Sequence, residues 1–313
     1  MKAYIIYHSD EAAKNASFIE MFKNEGKNYN IDFKYIPYEE YTTHVLPDIV
    51  LNRTRDFNVS KWYEDMGIKA IHSSYITYLG NNKYETFKYL EKNLCDTVKK
   101  EKWCADTKLI DKEEINAFCE YISVGRCSKY DGTLVAFFNR ILEYENSEAI
   151  IKSVDGHGGN EVFLIAVKQK EIVVKSPFIT TLQMCQKLYG HRCIIQEKLS
   201  SNSSDLRVYI LMGEIYSAVL RKGNNDFRSN YSLGGNVYEY NLNNEQKQYI
   251  QYFIDAFGGK ELFMAGIDFI ITTDGKLIFN ELEEMVGSRM LYKCTDYDIV
   301  KDYVKRLANI LIY

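Results

Sequence analysis

The sequence is poor in proline, with 3 among 313 residues, and it has no Pro-rich or Gly/Ser-rich stretch. Flexible linkers are usually built from such stretches, so their absence favours a chain of closely packed domains. No apolar run approaches the roughly 20 residues that a membrane-spanning helix needs, and the apolar start of the chain is too short for a signal peptide. We therefore expect a cytoplasmic protein with no membrane-spanning segment.

Cysteine motifs are also lacking, because the 7 cysteines are scattered and none forms a C-x-x-C pair. An odd, unpatterned set of cysteines is typical of reduced thiols in the cytosol, and a structural zinc site is disfavoured without closely spaced ligands. The net charge of -4 gives no overall attraction to nucleic acid, although it does not exclude a local basic groove. These absences argue against a disulfide scaffold and give no support for nucleic-acid binding.

Hydrophobic residues make up 46% of the sequence and aromatic residues 14%, which is ample for a sizeable core. A chain of this length indicates two or three domains. Near the N-terminus, apolar runs alternate with helical patterns, which predicts a parallel sheet of the α/β class. The predicted strands there are 3–7, 31–35, 48–52 and 68–71, and the predicted helices are 12–24 and 59–66. Farther along, residues 94–146 are predicted to be helical, with amphipathic stretches at 113–122 and 134–142 and no chemical motif.

Polar residues follow two of these strands, Arg53 and Arg55 after the third and His72, Ser73 and Ser74 after the fourth. The carboxyl ends of parallel strands point toward ligands, so these five residues are candidate substrate contacts. For Arg55, a position in a solvated loop is an equally good interpretation.

A glycine-rich loop joins two further predicted strands, 149–152 and 162–167. Lys152, at the end of the first strand, could reach a phosphate from a fixed position. The loop contains three glycines, Gly156, Gly158 and Gly159. Glycines let a loop lie close over a phosphate chain and offer its N–H groups. The loop is not a Walker loop, because G-K-[ST] is absent, nor a dinucleotide fingerprint, because no helix follows. An ordinary turn remains the alternative.

The next predicted strand, 194–199, leads into a serine-rich loop. Its edge could present backbone groups to an adenine base. Asp205, just beyond the loop, could accept a hydrogen bond from a ribose hydroxyl. The alternative for Asp205 is a local ion pair with Arg207.

Three acidic residues converge near the C-terminus. Asp268 lies in a predicted strand, 263–271, and a D-G turn of the type favoured in hairpins leads to the return strand, 277–282. Because side chains alternate along a strand, Glu281 and Glu283 share one face. Three neighbouring carboxylates repel one another unless a cation compensates them, and oxygen ligands without His or Cys favour Mg²⁺. The alternative is that these acids pair with the upstream arginines, which are Arg207, Arg221 and Arg228.

The order of these motifs resembles the ATP-grasp superfamily. The motifs run in the order Lys83, the Lys152 glycine loop, Gln196-Glu197, Asp205-Leu206-Arg207, Arg221, Asp226-Phe227-Arg228-Ser229-Asn230, Gly234-Gly235, Gly266-Ile267-Asp268 and Glu281-Leu282-Glu283. The D-F-R-S-N…G-G stretch is most similar to the RimK-type ligases, which add amino acids to a carboxylate. The likeness is dense from Ile150 to Gly287, thinner from Met1 to Lys83, and poor between Lys83 and Lys152, where the chain is longer than is usual in the family.

The resemblance implies an ATP-grasp fold, with mixed α+β structure in its nucleotide-binding part. It predicts an N-terminal α/β (pre-ATP-grasp) domain at 1–81, a central subdomain with a mobile glycine lid at 82–190, and a C-terminal subdomain with the metal site at 191–313. ATP would be clamped between the two subdomains.

The resemblance also implies roles for individual residues. Those implied to be catalytic are Arg221, Arg228 and Asn230, and those implied to bind ATP are Lys83, Lys152, Gly156, Gly158, Gly159, Glu197, Lys198, Asp205, Arg207 and Ser229. Two Mg²⁺ ions, which Mn²⁺ could replace, would be held by Asp268, Glu281 and Glu283. Arg53, Arg221 and Arg289 are expected to anchor a substrate carboxylate.

Two departures from the family pattern stand out. The family usually has Asn at the third metal position, where this chain has Glu283, and a carboxylate there still ligates. The stretch from Gly287 to Met290 also differs from the usual continuation, so Arg289 is expected to help choose the substrate.

The activity that the resemblance implies is ATP-dependent carboxylate–amine ligation. A substrate carboxylate attacks the γ-phosphate to give an acyl phosphate and ADP, and an amine then displaces phosphate. The substrates would be small carboxylates and amines, such as amino acids or peptides, with a homodimer as the default assembly. A kinase on the same scaffold is the alternative, while the full set of acids and basic residues argues against a nucleotide-binding protein without turnover.

Overall fold

The computed structural model describes residues 1–124, 132–168, 171–176, 179–223 and 235–311. The strands of these ranges are β1 (Lys2–Tyr7), β2 (Asp32–Pro37), β3 (Ile49–Asn52), β4 (Lys69–Ile71), β5 (Thr107–Ile110), β6 (Glu148–Ser153), β7 (Val162–Lys168), β8 (Glu171–Val174), β9 (Cys193–Glu197), β10 (Ser201–Leu211), β11 (Glu214–Lys222), β12 (Asn236–Glu239), β13 (Met264–Thr272) and β14 (Leu277–Glu283). The helices are α1 (Ser9–Lys14), α2 (Ala16–Lys27), α3 (Phe57–Asp65), α4 (Ser74–Gly80), α5 (Lys83–Asn93), α6 (Asp96–Lys99), α7 (Lys112–Val124), α8 (Gly132–Leu142), α9 (Thr181–Leu188), α10 (Asn244–Ala256), α11 (Arg289–Cys294) and α12 (Ile299–Leu311).

The N-terminal strands form a parallel sheet in the order β2-β1-β3-β4. β1 is an almost continuous apolar run whose side chains are buried on both faces, as expected for a parallel strand covered on each side. The C-terminal helix α12 returns to this sheet, where the ring of Tyr303 packs 5.8 Å from that of Phe22 in α2. The two ends of the chain therefore share one core.

The central strands form an antiparallel sheet in the order β5-β9-β6-β7-β8. Helices α7, α8 and α9 contribute to its core, in which the rings of Phe118 and Phe137 stack at 4.4 Å. The prediction of an all-helical segment at 94–146 was wrong at β5, a short strand that pairs with β9. This sheet also includes β9, so it extends past the boundary predicted between 190 and 191.

The C-terminal sheet is antiparallel, in the order β12-β11-β10-β13-β14. β13 and β14 form the predicted hairpin, and Gly275 in its turn has φ +84°, which an L side chain rarely adopts. The pairing is irregular at one point: Asp268 opposes Glu281, whereas Phe269 opposes Phe279. Asn280 is thus an extra residue in β14, and such bulges redirect side chains.

The fold positions two antiparallel sheets next to each other, with the parallel sheet at the N-terminal end of the chain. Within the described ranges, no helix is both long and apolar enough to cross a bilayer. The division of the chain at 81/82 and 190/191 stays a prediction.

Candidate active site

A cavity of about 430 Å³ lies between the central and C-terminal sheets. Ligand pockets typically enclose about 300–1,000 Å³, so its size suits a nucleotide. Strands β6 and β9 line one side, and β10, β13 and β14 line the other. Apolar side chains from both sheets, including Ile150, Ile270 and Leu282, form part of the wall, which is the surface that a flat base requires.

The glycine-rich loop borders this cavity, and all three predicted glycines line it. Gly158 and Gly159 have φ of +66° and +79°, so a side chain at either position would strain the backbone. At Gly156 a Cβ atom would lie 2.4 Å from Glu161 Oε2 and 2.5 Å from Ser153 Oγ. The loop conformation therefore depends on glycine at 158 and 159, whereas a side chain at 156 would require the Glu161 and Ser153 side chains to move.

Lys83 contacts the glycine-rich loop at two points. It is the first residue of α5, its backbone N–H donates to Val154 O at 2.9 Å, and its ammonium donates to Gly156 O. Both Lys83 and Gly156 also line the cavity. Lys83 thus anchors the loop in this structure, while its predicted contact with phosphate remains a prediction.

Lys152 lies on the cavity wall at the end of β6. It is buried, and its ammonium donates to Asn280 Oδ1 at 3.2 Å. Burial lowers the pKa of Lys152 to about 8, because the charged form is desolvated; the Glu281 carboxylate opposes this shift and Lys83 adds to it. The central sheet therefore presents a cationic group to the C-terminal sheet.

Glu197, the last residue of β9, and Lys198, which follows it, also line the cavity. The Glu197 carboxylate accepts the Asp106 N–H at 2.7 Å and pairs with Lys102 Nζ at 2.5 Å. Burial alone would raise the pKa of Glu197, but these two partners outweigh it and lower the pKa. The Lys198 ammonium turns away to Glu148, at 2.6 Å. An adenine here would meet the backbone of β9 more readily than the Lys198 ammonium.

The opposite side of the cavity is acidic. The bulge in β14 brings Asn280 to the cavity, beside Glu281, and Glu283 also lines it. Burial raises the pKa of Glu283, the Arg207 guanidinium lowers it, and the Glu281 and Asp268 carboxylates raise it. The carboxylates of Glu281 and Glu283 therefore lie close together on the same cavity as Lys152. Their oxygens are the kind of ligand that Mg²⁺ prefers.

Glu284 directly follows β14 and is buried. Burial raises its pKa to about 7, and the Glu283 carboxylate adds to the shift. The Asn81 amide donates to Glu284 Oε1. This buried acid was not identified from the sequence, because nothing in its local pattern distinguishes it from its neighbours.

Asp268 is predicted to be a metal ligand, but it does not line the cavity. It is 0% exposed, and both of its oxygens are occupied: Arg207 donates to Oδ1 and Oδ2 at 2.7 Å each, and Arg221 donates to Oδ2 at 2.6 Å. Burial would raise the pKa of Asp268, but the two guanidinium groups outweigh it and lower the pKa to about 2. The alternative interpretation, pairing with upstream arginines, describes Asp268, whereas the two glutamates line the cavity as expected.

The same network bears on the alternative interpretation of Asp205, a local ion pair. Its carboxylate accepts a hydrogen bond from Arg221 Nε at 2.6 Å. Asp205 nevertheless lines the cavity, so the predicted contact with ribose remains a prediction. Both arginines are buried in ion pairs, with Glu283 Oε2 also 3.5 Å from Arg207. Neither presents a free guanidinium to the cavity in this structure.

The predicted substrate arginines lie apart from the cavity. The buried Arg53 guanidinium donates to the Met285 and Val286 carbonyls at 3.3 and 3.2 Å. Arg55 pairs with Glu11 at 2.9 Å, and Arg289 is exposed at the start of α11. His72 is buried and accepts backbone N–H groups. Three further predicted residues, Arg228, Ser229 and Asn230, lie outside the described residues.

Asn280 is the clearest residue that the sequence prediction missed. It lines the cavity and binds Lys152, yet a strict alternation along β14 would turn it away from Glu281. Only the pairing irregularity brings both to the same side, and no sequence signal indicates its position.

Comparison with known proteins bears on this arrangement. A family model described as a RimK-like ATP-grasp domain matches residues 104–307. The uncharacterized protein MG011 of Mycoplasma genitalium is 24% identical over 320 residues, covering 98% of this chain and 93% of MG011. The alpha-aminoadipate–LysW ligase LysX of Saccharolobus solfataricus is 21% identical over 180 residues, covering 58% of this chain and 62% of LysX.

Solved structures share the fold. D-Alanine–D-alanine ligase from Bacillus anthracis superimposes with a TM-score of 0.67 at 14% identity, covering 99% of this chain and 98% of that one. The same ligase complexed with ATP gives a TM-score of 0.65 at 13% identity, with the same coverage. The predicted fold class is thereby confirmed.

Proposed function

This chain belongs to the RimK-like ATP-grasp family, and we propose from this premise that it is an ATP-dependent ligase that joins a carboxylate to an amine. The reaction would form an amide and release ADP and phosphate. The observation that carries the proposal is the cavity between the two antiparallel sheets, with a glycine loop and Lys152 on one side and Glu281 and Glu283 on the other. Two of the similar proteins, LysX and the D-alanine–D-alanine ligase, are named as ligases, which agrees with the proposal.

ATP-grasp ligases generally use ATP and Mg²⁺, and the residues of this cavity fit both. We propose that the base lies against the apolar wall and the backbone of β9, with the phosphates under the glycine loop near Lys152. Glu281 and Glu283 would hold Mg²⁺, which neutralises phosphate charge when bound. The participation of Asp268, the number of ions and replacement by Mn²⁺ stay predictions.

The proposed chemistry needs no covalent nucleophile on the protein. An oxygen of the substrate carboxylate attacks the γ-phosphorus while the bond to ADP breaks, which gives an acyl phosphate. The amine nitrogen then attacks the acyl carbon, phosphate leaves, and the nitrogen loses a proton. The contributions of this chain are the Lys152 charge near the phosphates and a loop that limits the access of water, because an acyl phosphate hydrolyses when wet.

The test is ADP release from Mg-ATP with a panel of amino acids, dipeptides and small carboxylic acids, with mass spectrometry of the products. A dehydrated adduct together with ADP and phosphate is the expected result. A product heavier by one phosphate would instead identify a kinase. Glu281→Gln serves as the matched control, because it keeps the side-chain shape while removing one negative charge from the cavity. Its rate of ADP release should be about 100-fold below that of the wild type.

A further inference from the structure

The segment that directly follows the acidic strand β14 is held from several directions. Three consecutive carbonyls accept hydrogen bonds: those of Met285 and Val286 from Arg53, and that of Gly287 from the Tyr209 hydroxyl at 3.0 Å. Backbone carbonyls engaged by side chains from other elements have little freedom to move. The first of these carbonyls belongs to Met285, two residues beyond Glu283, so the position of this segment determines where the strand ends.

Arg53 belongs to the N-terminal sheet rather than to the metal hairpin. It directly follows β3, its Nε donates to the Tyr7 hydroxyl at 3.1 Å, and its guanidinium carbon lies 5.1 Å from the Phe18 ring. It is 8% exposed. The guanidinium is therefore fixed on the N-terminal sheet while its Nη2 binds the chain beyond β14.

A second contact reaches the same strand end from the junction of α4 and α5. The Asn81 amide donates both to Thr77 O, at 2.8 Å, and to Glu284 Oε1. Next to it, a Cβ atom on Gly80 would lie 2.6 Å from Glu284 Cγ. The junction thus packs tightly against the residue adjacent to Glu283, and a larger residue at 80 would displace it.

We propose that Arg53 and Asn81 are positioning residues, which fix the end of β14 and thereby hold the Glu281 and Glu283 carboxylates in place for Mg²⁺. The inference rests on the proposed function, since it assigns these two residues a role at the same metal site. It replaces the predicted role of Arg53 as a substrate anchor. Residues that orient metal ligands without touching the metal are required for its affinity, and their loss typically costs about 10–100-fold.

The test is the affinity for a non-hydrolysable ATP analogue, measured by calorimetry with Mg²⁺ and again with EDTA. The dissociation constant with EDTA divided by that with Mg²⁺ reports the metal-dependent part of binding. For Asn81→Ala and Arg53→Met we expect this ratio to fall by about 10–100-fold, with little change in the EDTA value. Arg53→Lys keeps one donor for the two carbonyls and should give an intermediate ratio, and it serves as the milder variant if Arg53→Met does not fold.

Asn52→Ala is the matched control. Asn52 is also a buried amide of the N-terminal sheet, but it donates to Asp56 O and Ser60 Oγ, at 2.8 and 3.0 Å, within its own domain. This variant should lower the melting temperature without changing the ratio. A purely structural role for Arg53 and Asn81 would make their variants behave in the same way.

The outcomes separate the two proposals. If the wild type shows magnesium-dependent binding and the folded Asn81 and Arg53 variants keep the wild-type ratio, the positioning role is overturned and the ligase proposal stands. If the wild type itself gains no affinity from Mg²⁺, the proposed function fails and the positioning role fails with it. A fall in the ratio confined to the Arg53 and Asn81 variants supports both.

Discussion

At the scale of single residues, Lys152 has the most informative environment. A lysine at the surface stays charged well above neutral pH, but burial lowers the pKa of Lys152 to about 8. Its partner in this structure is a neutral amide, Asn280, at 3.2 Å. A phosphate in the place of Asn280 would favour the charged form of Lys152, because an opposite charge nearby raises the pKa of a lysine.

We predict that nucleotide affinity falls as pH rises above about 8, because free Lys152 then becomes neutral and must take up a proton to meet a phosphate. The fall should approach about tenfold per pH unit, up to the pKa of Lys152 in the complex. Titration of the ATP analogue between about pH 7 and about pH 9.5 measures it. Lys152→Arg, which stays charged throughout, should give a flat profile, and a flat wild-type profile would contradict the prediction.

At the scale of elements, three strands are joined beneath the cavity by buried charges. Arg207 on β10 and Arg221 on β11 both bind Asp268 on β13, and Arg221 also binds Asp205. Buried ion pairs of this kind give little net stability, but removing one partner leaves an uncompensated charge. The network fixes the strands from which the acidic wall is built.

Asp268→Asn should therefore destabilise the protein by about 3–5 kcal/mol, because two buried guanidinium groups lose their shared counter-charge. Chemical denaturation, compared with the wild type, measures the change. The exposed hairpin residue Asp274 provides the control, since Asp274→Asn keeps a favoured turn sequence and should change stability little. Wild-type stability for Asp268→Asn would show that the network does not act as one unit.

At the scale of the whole molecule, the N-terminal sheet is joined to the C-terminal sheet through buried groups. His72, directly after β4, accepts the backbone N–H groups of Phe263 and Met264 at 3.1 and 3.3 Å. Burial lowers the pKa of His72 to about 3, and the charge of Arg53 adds to the shift. His72 is therefore neutral in the folded protein at neutral pH.

This predicts that His72 contributes a loss of stability as pH falls, whereas buried Glu284, whose pKa is raised to about 7, contributes in the opposite direction. Because the folded-state pKa of His72 is depressed, its imidazole in the unfolded chain binds a proton below about pH 6.5, while in the folded protein it does not until about pH 3. The contribution of His72 should reach about 2 kcal/mol at about pH 5 relative to neutral pH. It is given by the difference between the stability profiles of the wild type and His72→Gln, measured by denaturation between about pH 7 and about pH 5. His44→Gln provides a control at a half-buried histidine that pairs with Glu40. It should leave the contribution of His72 unchanged, and a wild-type profile in His72→Gln would refute the prediction.

The amino-acid sequence by itself determined the parallel N-terminal sheet, the glycine loop, the D-G hairpin and the acidic pair on β14. Each of these depends on local chemistry: apolar alternation, glycine freedom, turn preference and period-two spacing act within a few residues. The order of the motifs was enough to indicate the family. For the same reason β5 was missed, because a short strand in a charged segment carries little local signal.

Only the tertiary structure decided which acids face the cavity and which arginines are already paired. Asp268 and Glu281 look equivalent in sequence, yet Arg207 and Arg221 enclose the first while the second lines the cavity. Arg53 follows a strand end as a substrate contact would, but its guanidinium binds carbonyls more than two hundred residues away. Such partnerships depend on strand register and on the packing of distant segments, and neither is determined by the residues adjacent in the chain.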